Sequence, residues 1–195
     1  MCIVFGQDKD EEDDPSWKKY HYDVLGEAWI GVYVPEFYGD NFLSRAYDIG
    51  EGFVLGVNVL PKDKWYVGVQ YSTFRGSVID TELVGVLDAS RIHQFNVTGG
   101  YSLLRKESRL SLKTGIGIGY VSLRNEKNFR RFTDDGFALL GETTVSYRFT
   151  KTIGAYASFQ HEWYFLAISA PSNQQQFFRN PKMYAWSIGF KISVL

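Results

Sequence analysis

The stretch Leu110-Ser-Leu-Lys-Thr-Gly-Ile-Gly-Ile-Gly-Tyr120 decides how this chain is read. Successive side chains of a strand point to opposite faces. Read at that period, Leu110, Leu112, Thr114, Ile116, Ile118 and Tyr120 share one face, and Ser111, Lys113, Gly115, Gly117 and Gly119 share the other. One face is bulky and apolar, the other small or charged. The Gly115-x-Gly117-x-Gly119 series is therefore a strand face rather than a dinucleotide fingerprint, because no helix pattern follows it.

The same alternation recurs along the chain. Tyr184, Trp186, Ile188, Phe190, Ile192 and Val194 oppose Ala185, Ser187, Gly189, Lys191 and Ser193. Phe95, Val97, Tyr101 and Leu103 oppose Gln94, Asn96, Thr98, Gly100 and Ser102, and Trp65, Val67, Val69 and Tyr71 oppose Tyr66, Gly68, Gln70 and Ser72. In all, the period predicts eight strands, over 24–34, 48–60, 65–76, 90–104, 109–123, 137–149, 152–169 and 183–195. No helix of any length is required. The connections at 61–64, 105–108 and 150–151 are short and polar, as hairpin turns are. Those at 35–47, 77–89, 124–136 and 170–182 are long. Short turns on one rim and long loops on the other are the pattern of a transmembrane up-and-down barrel, which puts both termini on the short-turn side.

The two faces decide the solvent. An eight-stranded barrel has an interior just wide enough for side chains. Small and charged residues fit there, so the bulky apolar face points outward, into lipid. Closure satisfies every backbone polar group without water, as hydrocarbon demands. A soluble barrel carrier has the reverse polarity. Trp65 and Tyr66, Tyr147 and Phe149, and Trp163 and Phe165 fall near the rims, where aromatic side chains favour the membrane interface.

Composition agrees and excludes other classes. With 195 residues and a net charge of -1, the chain is one domain without a basic stripe, which argues against a nucleic-acid partner. No apolar run is long enough for a transmembrane helix, which says nothing against barrel strands. The single Cys2 has no pairing partner and no metal-ligand spacing around it, and neither a cofactor nor a metal is implied. Residues 1–7 are apolar and turn abruptly acidic after Gln7; they read as the end of a secretory signal peptide, with cleavage near Gly6 or Gln7. A hydrophobic N-terminus without structure and a lipid anchor on Cys2 are the alternatives. Residues 8–23 form a polar periplasmic segment, and 24–195 the barrel.

With strands and loops in place, residues 24–195 resemble the OmpA/OmpX-type small outer-membrane β-barrels. The resemblance implies an all-β, eight-stranded antiparallel barrel in a bacterial outer membrane, with extracellular loops and periplasmic termini. Its most specific piece is the last strand. Such barrels end in a signal for the barrel-assembly machinery: a polar residue, a Gly two later, and hydrophobic residues three and five beyond it. Ser187, Gly189, Ile192 and Val194 occupy those places, although the chain closes on Val194-Leu195 rather than an aromatic residue. The leader ending Phe-Gly-Gln resembles those of Bacteroidetes secreted proteins.

Candidate chemistry follows from parity. Glu27, Glu51, Lys113, Glu142, Arg148, Glu162 and Lys191 point inward as a lumen charge network, since buried charge must be paired. Strands one and eight close the barrel, which brings Glu27 to Lys191 as a salt bridge across the seam. A lumen so filled is plugged, because conducting porins need roughly sixteen strands. His93 and His161 point outward. The barrel lipid A deacylases use a His with a Ser on the outer face, and Ser122 lies diagonal to His93 by antiparallel counting. A nucleophile needs its base and an orienting third group. No outward carboxylate is evident beside the pair, and the deacylase His-x-Ser run is missing, so no catalytic residue is assigned. The long loops remain, as loops on a rigid scaffold carry most binding residues. Arg130 and Arg131 are expected to meet lipopolysaccharide phosphates, and Phe177 and Phe178 an extracellular partner. The reading is a non-enzymatic outer-membrane barrel with a structural, adhesive or surface-binding role; a lipid A-modifying enzyme and a soluble carrier are the alternatives.

Overall fold

The computed structural model describes residues 25–60, 64–103, 109–168 and 175–194. The expected leader and polar segment at 1–23 lie outside these. Eight antiparallel strands run β1 Gly26–Tyr38, β2 Tyr47–Val59, β3 Trp65–Val78, β4 Ala89–Ser102, β5 Leu110–Lys127, β6 Arg130–Arg148, β7 Ile153–Leu166 and β8 Lys182–Val194. Each pairs with its sequence neighbour, and β1 pairs with β8 to close the barrel, with Trp29 opposite Lys191 and Gly31 opposite Gly189.

Three short helices lie in the long connections, where none was required: α1 Phe42–Ala46, α2 Thr81–Val84 and α3 Gln175–Arg179. Asn41 caps α1, its Oδ1 accepting the Ser44 amide at 3.0 Å, and Asp80 caps α2. β1 also continues through Pro35 to Tyr38. It leaves β2 at Tyr33 and keeps only β8 beyond, so Pro35 sits where one strand edge has no ladder to serve.

The 124–136 connection differs most from expectation. It is not a loop: β5 and β6 stay paired out to Lys127–Arg130. The reversal is made by Asn128 and Phe129, both with positive φ (48° and 64°), the backbone of a type I′ hairpin turn. Sequence reasoning missed it because Phe is a poor residue for that conformation.

The exterior is apolar. Ile30, Val57, Val67, Phe95, Ile116, Ile118, Ile188 and Phe190 are all exposed. On β4 the outward apolar face runs from Phe95 to Leu103; at about 3.4 Å per residue and a tilt of about 40° that band is about 21 Å tall. A belt of this kind calls for hydrocarbon as its solvent. Trp65, Tyr147 and Phe149 sit exposed at its turn rim, and Trp163 at its loop rim, while Phe165 stacks on Phe137 at 4.7 Å. Tyr66 is the exception to the rim expectation: it is buried in the lumen.

The interior has two storeys. Towards the short turns it holds Glu27, Lys113, Lys191, Ser146, Asn58, Gln70 and Gln160. Towards the long connections it is apolar: Tyr33, Phe37, Val54, Phe74, Ile92, Val121, Leu123, Ala138, Tyr164, Leu166 and Met183 form one cluster, and Phe42, Leu43 and Ala46 of α1 pack into it. The expectation of a small and charged lumen thus holds for the polarity of the lower storey but not for its size, since Trp29, Tyr66 and Tyr156 also line it.

Candidate functional site

The lower storey is built around one carboxylate. Glu27 faces inward on β1, two residues from Trp29, which stands opposite Lys191. Lys191 Nζ donates to Glu27 Oε1 at 2.8 Å and to Ser146 Oγ at 2.7 Å. Lys113 Nζ, from β5 across the lumen, donates to Glu27 Oε2 and lies 5.5 Å from the Tyr66 ring centre. Tyr66 Oη donates to Glu142 at 2.7 Å, and Gln160 Nε2 donates to the same carboxylate at 3.3 Å. Gln70 and Gln160 exchange hydrogen bonds across the lumen at 2.8 and 3.2 Å. The cavity among these groups has a volume of about 30 Å³, room for about two waters. Asn58 Oδ1 and Tyr156 Oη border it and find no partner among the described residues.

The next layer centres on Glu162, fully buried on β7. Tyr33 Oη donates to it at 3.1 Å, and Gln94 Nε2 donates to its other oxygen. Tyr164 Oη donates to Gln94 Oε1 at 3.1 Å. Above this layer the apolar storey begins. Arg148 is half-buried at the turn end of β6.

Glu51 is not part of the network. β2 carries one extra residue against β3 between Ile49 and Gly52. Glu51 has the parity of the outward Phe53, Leu55 and Val57 and is exposed beside Arg75, with Val54 and Asn58 inward. The bulge reverses parity above it, so that Tyr47 and Ile49 face inward.

Inward glycines make room for these large groups. A Cβ on Gly56 would overlap the Trp29 ring, and one on Gly115 would overlap the Tyr66 hydroxyl. Gly189 sits against Gly31 across the closing seam, where a Cβ would meet the Gly31 Cα at 2.5 Å. In the C-terminal motif, Ser187 is buried with its Oγ 2.7 Å from that of Ser158, while Ile192 and Val194 face outward.

On the outer face, Ser122 is directly opposite His93 rather than diagonal to it, and Asp135 is directly opposite Ser122. A carboxylate therefore does flank the pair. His93 Nδ1 is 2.7 Å from Tyr71 Oη, and Ser122 is buried, with no hydrogen bond to His93 among the described residues. His161 contacts Tyr38 Oη and packs 4.2 Å from the Trp163 ring.

The loop candidates are placed differently from expectation. Phe177 and Phe178 are half-buried on α3, and Phe178 packs 5.5 Å from Phe42, so they help close the apolar storey. Arg130 and Arg131 belong to β6; Arg131 Nε donates to Glu126 at 2.7 Å, and Arg130 is exposed beside the turn. One charged row escaped the sequence reading. Arg75, Arg91 and Arg124 are directly opposite one another on β3, β4 and β5, all exposed, one row above Thr73, His93 and Ser122. Counting parity upward from each turn would have found it.

No protein-family model and no curated protein matches the chain. Solved structures do match. Neisserial surface protein A is 11% identical with a TM-score of 0.65, over 87% of this chain and 97% of that one. The attachment invasion locus protein of Yersinia pestis is 16% identical with a TM-score of 0.55, over 87% and 97%. The outer membrane protein OprG of Pseudomonas aeruginosa is 14% identical with a TM-score of 0.57, over 87% and 95%. At these identities the likeness is one of architecture: the chain has the closed eight-stranded fold of small outer-membrane β-barrels.

Proposed function

We propose that this chain is a non-enzymatic, non-conducting barrel of the bacterial outer membrane, serving the envelope as a structural and surface-binding protein. Its long connections face outward and its termini face the periplasm, where Ser187, Gly189, Ile192 and Val194 serve the barrel-assembly machinery. The observation that carries the reading is the pairing of an apolar exterior with an interior filled by side chains. Two seals lie in series along the lumen, the Glu27–Lys113–Lys191 cluster and the apolar storey under α1. A soluble carrier is disfavoured by the same exterior. Adhesion is the most specific form of surface binding that a similar structure suggests, since one of them is an attachment invasion locus protein.

The test combines fractionation with recording. The protein is expected in the outer-membrane fraction, with gel mobility that changes on boiling and no stable conductance in a planar bilayer at neutral pH. Aqueous partition, or a steady open current, overturns the reading.

The row His93–Ser122–Asp135 supports a second reading, a lipid A hydrolase. Ser122 is closed over and unbonded to His93, so the first reading is preferred. Lipid A with the same mass spectrum in cells carrying wild type, His93→Ala or no copy of the chain removes the second.

A further inference from the structure

Like charges placed directly opposite on neighbouring strands repel. Arg75, Arg91 and Arg124 are so placed on three consecutive strands, about 4.8 Å apart. None of the three has a carboxylate within 4 Å among the described residues. The acids around the row are otherwise disposed. Glu51 lies at the β2 bulge beside Arg75, Asp135 lies one row lower, and Glu126 is taken by Arg131. On the β6 side the row ends at Thr133, which is uncharged.

Its height gives the row a meaning. Immediately below are Thr73, His93 and Ser122, the next row is Tyr71, Phe95 and Tyr120, and below that lies the apolar belt of Val69, Val97, Ile116 and Ile118. The guanidinium groups therefore stand at the level where lipid headgroups begin. Guanidinium matches phosphate oxygens by paired N–H donors. We infer that Arg75, Arg91 and Arg124 form a binding site for the phosphate groups of an anionic glycolipid in the outer leaflet. The phosphate removes the repulsion within the row, while the neighbouring apolar belt takes the acyl chains. The inference rests on the membrane reading above and adds the ligand class and its residues.

The test uses purified barrel in vesicles of neutral lipid doped with diphosphoryl lipid A or its dephosphorylated form, with lipid retained on the protein measured by mass spectrometry. Wild type is expected to enrich the diphosphoryl form and to hold it against excess inorganic phosphate. The triple variant Arg75→Gln, Arg91→Gln, Arg124→Gln is expected to lose that enrichment by about tenfold or more. The triple Lys variant keeps charge without the fork and is expected to fall between. Unchanged enrichment in a Gln variant that still shows folded gel mobility overturns the site. Equal retention of both lipid forms by wild type does so too, and full displacement by inorganic phosphate overturns the lipid as its ligand. Each of these leaves the barrel reading standing, because that fails only if wild type is absent from the outer membrane or conducts.

Discussion

At the scale of single residues, the lower lumen depends on one acid between two ammonium groups. Glu27 accepts from Lys113 and Lys191, and both lysines are buried. Removing one partner of a buried ion pair costs about 3–5 kcal/mol, because a charge is left without compensation. Glu27→Gln strands two. The expected outcome is a loss of at least about 3 kcal/mol, read as a lower urea midpoint for the conversion of folded to unfolded gel mobility. An unaltered midpoint would mean that water, rather than Glu27, compensates the lysines. The glycines carry a complementary lesson. Gly115 was legible as a small inward residue, but not as the space occupied by the Tyr66 hydroxyl from two strands away.

At the scale of elements, the β5–β6 hairpin is the clearest product of strand pairing overriding turn preference. Pairing continues through Arg124, Asn125 and Glu126 because each has a partner on β6. The cost falls on Phe129, fully exposed with a φ of 64°, a conformation that disfavours side chains with a Cβ by about 1–2 kcal/mol. Phe129→Gly is therefore expected to steady the tip by about 1 kcal/mol. Slower amide hydrogen exchange at Glu126 and Lys127 is the measurement, and faster exchange there refutes the strain. The bulge in β2 belongs to the same scale. Glu51 shares its parity with the outward Phe53, Leu55 and Val57, so a count up from the β2–β3 turn already places it outside the lumen. What the inserted residue changes, and no sequence count marks, is that Tyr47 and Ile49 turn inward.

At the scale of the whole molecule, the two lumenal storeys act as seals in series. The floor is electrostatic and the ceiling apolar, so weakening one leaves the other shut. Glu27→Gln alone and Phe42→Ala alone are each expected to stay silent in planar bilayers, whereas the double variant is expected to pass brief, irregular currents. Stable conductance in either single variant means that one storey carries the whole barrier. The Arg75–Arg91–Arg124 row is also a whole-molecule feature, since it exists only when β3, β4 and β5 stand in register.

The sequence by itself determined the strand number through the period-two alternation, the antiparallel order through the short polar turns, and the outward direction of Ile116, Ile118, Ile188 and Phe190 through the small residues on the opposite face, which alone fit a narrow lumen. It also placed Glu27, Lys113 and Lys191 on inward faces. Counting across the seam also placed the Glu27–Lys191 pair, whereas tertiary structure decided the longer-range meetings: Lys113 reaches Glu27 from the far wall, and Tyr33 reaches Glu162 two strands away. It alone decided that α1 and α3 fold over the loop end as an apolar cap, and that Ser122 lies between His93 and Asp135. The reason is physical. Alternation is a local property of each strand, whereas the contacts inside a closed barrel depend on the register at every seam, on each bulge that shifts it, and on what the connecting segments cover.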